Sequence, residues 1–144
     1  MQETNPGDAA DPHGGGPDER AVALANALFA MAREGETERL AAYLQAGAPL
    51  EMRNQNGDTM LILAAYHSHP TTVAMLLDAG ADPEAANDRG QRALSCAVFK
   101  QDEPTVRLLM AAGADPNAGS PSALQTARMF GAEAILELLA QERG

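Results

Sequence analysis

Apolar positions recur in this chain at a spacing far longer than a helical turn. Leu28, Leu61, Leu94 and Leu124 hold one equivalent place. Leu40, Val73, Val106 and Leu136 hold a second, and Tyr43, Leu76, Leu109 and Leu139 a third. The first three members of each column are 33 residues apart, and the fourth follows after 30. One connection, near Gly119-Ser120-Pro121, has therefore lost three residues. A fixed period of this size predicts stacked structural units rather than one closed globule. Each unit reads as two short helices. In the second unit these cover about residues 59–66 and, after a break at 67–70, on to about 79. One such pair cannot bury its apolar face alone, but four stacked pairs can. Each leucine buried in these columns contributes roughly 1.5–3 kcal/mol relative to exposure.

The punctuation agrees with that reading. Gly47, Gly80 and Gly113 follow the second helix of successive units, where a left-handed residue closes a helix. Pro70 and Pro104 fall at the start of second helices, where a missing N–H costs little. Thr71 or Thr72 is the expected N-cap of the helix beside them. Asn54-Gln55-Asn56-Gly57 and Asn87-Asp88-Arg89-Gly90 are turn sequences between units. The expected fold is an all-α solenoid of four helix-turn-helix units with hairpin-like turn tips. The units fall at about 20–53, 54–86, 87–119 and 120–143. Residues 1–19 lack apolar periodicity, are rich in Gly, Pro, Asp and Glu, and are expected to form a disordered tail.

Composition narrows the function classes. The formal net charge is −10, which argues against nucleic acid and against an anionic membrane surface. The longest apolar stretch, residues 21–32, contains Asn26 and is too short to span a bilayer. No basic leader with an apolar run is apparent, and the expected location is the cytoplasm. Cys96 is the single cysteine, so an internal disulfide is impossible. It lies near the core columns and is expected to be a buried, inert thiol. A redox role would require exposure and a lowered pKa. No nucleophile–base arrangement stands out, and Gly14-Gly15-Gly16 precedes no helix with phosphate-loop spacing. His67 and His69 could reach one metal, yet a structural zinc site needs four ligands. His13 stands alone in the tail. No catalytic residue, metal or cofactor is therefore assigned.

Gly57-Asp58-Thr59-Met60-Leu61-Ile62-Leu63-Ala64-Ala65, followed by Val73-Ala74-Met75-Leu76-Leu77-Asp78-Ala79-Gly80-Ala81-Asp82, resembles the ankyrin repeat. A 33-residue period and a Thr-Pro-Leu-His helix opening are the marks of that family. The third unit keeps Gly90, Leu94, Ala97, Val106, Leu109, Gly113 and Asp115. The family's Pro becomes Met60 and Ala93, and its His becomes Ile62, Ser95 and Gln125. That His ties neighbouring turns together, so these turns are expected to be less rigid. Each lost hydrogen bond would cost on the order of 1 kcal/mol. The resemblance implies a non-catalytic module that binds another protein on a concave face of turn tips and first helices. A monomer is expected, with a partner of basic character as one option. Composition rich in Ala, Gly and Arg fits a bacterial chain. The resemblance also implies an alternative, a dedicated regulator, inhibitor or stabiliser of one enzyme. Some bacterial ankyrin proteins look to be neighbours of oxidative-stress enzymes such as catalase. That reading uses the acidic surface and would make association steeply salt-dependent.

The positions expected on the concave face are those at the ends of the first helices. Arg33, Tyr66, Phe99 and Met129 share one place, and Glu34, His67, Lys100 and Phe130 the next. Tyr66, Phe99 and Met129 should align as one stripe of aromatic and methionine anchors. The competing reading tucks Phe99 or Phe130 into the core. Gln55, Asn56, Asp58, Asp88, Arg89 and Gln91 would line the rim at the turn tips, or serve only as solvated turn residues.

Overall fold

The computed structural model describes residues 17–141. Eight helices follow in order: α1 Pro17–Glu34, α2 Thr37–Gln45, α3 Met60–Tyr66, α4 Pro70–Asp78, α5 Ala93–Phe99, α6 Glu103–Ala111, α7 Ala123–Phe130 and α8 Glu133–Ala140. They form four pairs, and no strand occurs among the described residues. First helices pack in the series α1, α3, α5, α7, and second helices in the series α2, α4, α6, α8. The result is two helical layers with one continuous core. Leu28, Leu40, Val73, Leu76, Val106 and Leu109 are fully buried in it. Leu124 and Leu136, in the last of these units, are only partly buried. Tyr43, in the first unit, is likewise exposed.

The first helix opens at Pro17, so residues 17–19 are helical rather than part of a tail. His13 and the other residues before Pro17 lie outside the described residues. Asp18 and Glu19 in the first turn face the positive end of the helix dipole, which favours helix there.

Second helices end alike. The N–H of Gly80 donates to the Leu77 carbonyl and that of Ala81 to the Leu76 carbonyl, both at 3.0 Å. This paired closure needs a left-handed residue, and Gly80 has φ +104°. The same two bonds recur at Gly47-Ala48 and Gly113-Ala114. Starts are more varied. His69, not a threonine, is the N-cap residue of α4, and it makes no side-chain cap bond. Thr72 is instead buried, with its hydroxyl 2.6 Å from that of Thr37 in the preceding unit. Burial of a lone hydroxyl is costly, so each threonine satisfies the other. Asp102 does cap α6, accepting from the Thr105 N–H and hydroxyl.

The first helices that lack the family's His are closed at their starts by other bonds. Ser95 accepts from the Arg92 N–H at 3.1 Å, and Gln125 accepts from the Ser122 N–H at 2.8 Å. Both side chains thus bond the backbone N–H three residues back. Ile62 has no such group; it is buried instead, and its backbone N–H donates to Thr59 Oγ1.

Side chains also lace unit to unit. Glu51 accepts from the Asp82 N–H at 2.8 Å, and Glu84 accepts from the Asp115 N–H at 2.6 Å. His69 Nε2 donates to the Arg33 carbonyl at 2.8 Å, with its ring lying over Gly35. Gly35 has φ +75°, and a Cβ there would fall 2.5 Å from His69 Nδ1. Gly35→Ala therefore adds a displaced ring to backbone strain and is expected to remove about 2 kcal/mol of stability. Gly80→Ala, with no atom nearer than 4.0 Å, carries only the strain. Urea midpoints of the two variants check the order, Gly35→Ala lower than Gly80→Ala.

Candidate interaction face

The end of each first helix carries a side chain outward, and the repeat places these ends side by side. Tyr66 and Phe99 stack with centroids 6.3 Å apart and planes 10° apart. Phe99 continues to Phe130, at 5.6 Å and 57°. Lys100 Nζ sits 4.9 Å from the centre of the Tyr66 ring, and His67 meets the same ring edge-on. A cation over an aromatic face is attracted by the ring quadrupole. The rings are not core: Tyr66 is 38% exposed, Phe130 43% and Phe99 52%.

The row of rings passes from Phe99 to Phe130, which shares the place of His67 and Lys100, and not along the place of Met129. Met129 is 73% exposed. Arg33, in the last turn of α1, is exposed at the other end of the row.

Two adjoining recesses of about 160 Å³ each open between this row and the turn tips. Tyr66, Arg89, Gln91 and Cys96 line both. Phe99, Ser95, Pro121 and Thr126 complete one, and Asp58, Ile62, Leu63 and His67 the other. The tips are rigid hairpin-like loops. Asn87 Oδ1 accepts from the N–H groups of Arg89 and Gln91, both at 2.9 Å. Asn54 does the same for Asn56 and Asp58 one unit earlier. The Asp88 N–H donates to the Asn56 carbonyl, joining successive tips.

These bonds reassign some rim residues. Asp58 is only 8% exposed, and its Oδ1 accepts from Asn87 Nδ2 at 2.8 Å. It joins two tips instead of offering an edge to solvent, because a buried carboxylate needs partners. Gln91 is partly buried, with its side-chain carbonyl accepting from the same Asn87 amide. Gln55, Asn56, Asp88 and Arg89 are exposed. Of these four, only Arg89 enters the recesses. Asn87 was not among the expected site residues, although its 33-residue spacing from Asn54 is visible in the chain.

Electrostatics on this face have identifiable causes. Partial burial holds His67 below the usual imidazole range. The charges of His69, Lys100 and Arg33 push the same way, and Asp58 opposes them. Cys96, 3% exposed at the floor of both recesses, has its thiol pushed up to about 12 by burial. At pH 8 almost none of it is thiolate, the reactive form. Iodoacetamide is therefore expected to leave the folded chain unlabelled over minutes and to label it promptly in urea. The same shift ties stability to pH. The unfolded thiol ionises first, so its contribution is complete below about pH 9 and is lost as pH rises toward 12. Cys96→Ala is expected to flatten that alkaline decline.

Two layers of paired helices, linked by bonded tips and presenting an exposed row of rings, define a stacked helical-repeat protein. A sequence profile for ankyrin repeats (three copies) matches residues 28–120, more than half of the chain. The chain belongs to the ankyrin repeat family. One relative, named as an ankyrin repeat protein of Pseudomonas aeruginosa, is 48% identical over 48 residues. That alignment covers 33% of this chain and 28% of the relative, so less than a third of the relative's length is spanned. Among the described residues no helix is long and apolar enough to cross a membrane. Ankyrin repeats are in general protein–protein interaction modules.

Proposed function

We propose that this chain is a non-catalytic docking module that holds a protein partner on the concave face formed by its first helices and turn tips. The observation that carries the reading is the row Tyr66, Phe99 and Phe130: three mutually contacting rings, each more than a third exposed. Aromatic side chains left in water on a rigid frame are typical binding anchors, since they offer large area with little entropy to lose. The row is preorganised by stacking and by the bonded tips beside it, which lowers the ordering cost of association. The regulator reading relies on an acidic surface, whereas the groups above this row are Lys100, Arg33 and Arg89. Anchoring by the rings is therefore favoured over contact through the molecule's excess acid.

The test places a photo-crosslinking amino acid at two positions of the full chain. Phe99→benzoylphenylalanine should yield one discrete adduct in extract of the source cells. Asp78→benzoylphenylalanine, at the exposed end of α4, should not yield that adduct. The same adduct from position 78 alone would overturn the proposal.

A further inference from the structure

The chain carries a net charge of −10, yet the cations left without a carboxylate gather on one face. Arg39, Arg92 and Arg107 are ion-paired with Glu36, Glu84 and Glu103. Among the described residues the side chains of Arg33, Arg89 and Lys100 are in no ion pair; Arg89 lines both recesses, Lys100 sits over the Tyr66 ring, and the charge of Arg33 reaches His67. Of the acids nearby, Asp58 is buried on Asn87. The Asp88 carboxylate lies against Gly57 and Glu34 faces Glu36, and neither is in an ion pair with these cations. His67, between Lys100 and Arg33, feels both as positive neighbours. The one remaining unpaired guanidinium close to the tips, Arg53, donates to the backbone carbonyls of Gly57 and Ala86.

We infer that the partner presents an acidic segment, with an apolar side chain for the recess between Tyr66, Phe99 and Pro121 and carboxylates for Arg89 and Lys100. This rests on the docking reading above and adds the chemistry of what docks. Tyr66, Phe99, Pro121 and the protonated Cys96 thiol give the recess an apolar side that suits an apolar group, beside the polar Gln91, Ser95 and Thr126. Arg89 stands at the mouth of both recesses and can meet a carboxylate with two parallel N–H bonds. A basic segment would meet three unpaired cations and be rejected locally. The chain's overall negative charge acts at longer range, where salt screens it within roughly 8–10 Å. Contact chemistry therefore decides the partner's sign.

The experiment is selection from a displayed library of random linear peptides. The full chain, a Tyr66→Ala/Phe99→Ala variant and an Arg89→Glu/Lys100→Glu variant are panned in parallel. The expected result is that the wild-type chain enriches acidic peptides with one aromatic or aliphatic residue and the ring variant does not. The charge-reversed variant should enrich neutral or basic peptides instead. Arg89→Gln or Lys100→Gln should weaken the best acidic peptide roughly fivefold, read by fluorescence anisotropy. Peptides that depend on the rings but are neutral or basic would overturn the acidic inference and leave ring docking standing. Peptides enriched equally by the ring variant would overturn the docking reading itself. Failure of the wild-type chain to enrich any peptide would overturn the inference, since a linear acidic segment is what it requires.

Discussion

Replacing Tyr66 and Phe99 together by alanine is expected to weaken partner binding about a thousandfold while the chain stays folded. An aromatic anchor in a binding centre is worth at least about 2 kcal/mol on truncation, and two anchors that act independently reach about 4 kcal/mol. These rings stack, so part of the effect is shared and the double variant is the cleaner measurement. The cost to the fold is much smaller. Both rings are already 38% and 52% exposed, and their removal forfeits a stacked pair worth about 0.5–1.5 kcal/mol. Helical circular dichroism should be unchanged, with a modest fall in melting temperature. Calorimetric titration of the identified partner then reads the loss. Wild-type affinity in the folded double variant would show that the rings are not the anchors.

Leu109→Ala is expected to be the most damaging single truncation, removing about 2–5 kcal/mol. Leu109 is fully buried in α6, which packs against α5 and between α4 and α8. Its carbonyl also accepts from the Ala114 N–H that closes the helix. A cavity there cannot collapse without moving four helices. Against a total of about 5–15 kcal/mol for a domain, this is a large share. Leu136→Ala removes the same side chain from the last unit, where it is already partly in water. It should cost less than half as much. Urea unfolding of both variants compares them directly. Equal losses would mean that the last unit is as tightly supported as the third.

Much of the fold was legible because a solenoid repeats its own instructions. Leu28, Leu61 and Leu94 are 33 residues apart because each fills the same place in a stacked unit. Gly47, Gly80 and Gly113 recur because each second helix closes with the same pair of bonds. The departures were less legible. The start of α1 at Pro17 lies in a stretch without apolar periodicity, where helix is supported by the acidic first turn. Ser95 and Gln125 looked like losses of the family's His, yet each reaches the N–H three residues back. A local bond of this kind depends on geometry that any short polar side chain can meet.

The interaction face divides in the same way. Equivalent positions put Tyr66 and Phe99 in one row, and repeat arithmetic alone suffices for that. It does not say whether a ring at a helix end turns outward or inward, since both satisfy helical spacing. Nor does it show that Phe130, one place beyond Met129, is the ring that meets Phe99. Asp58 and Asn87 are 29 residues apart and meet only because two tips stack. The sequence by itself determined the unit, its period, its caps and the columns that form the core, because these repeat under purely local rules. Only the tertiary structure decided which polar groups are consumed between units and which cations are left facing outward. Those outcomes depend on distances between units, and no spacing within one unit encodes them.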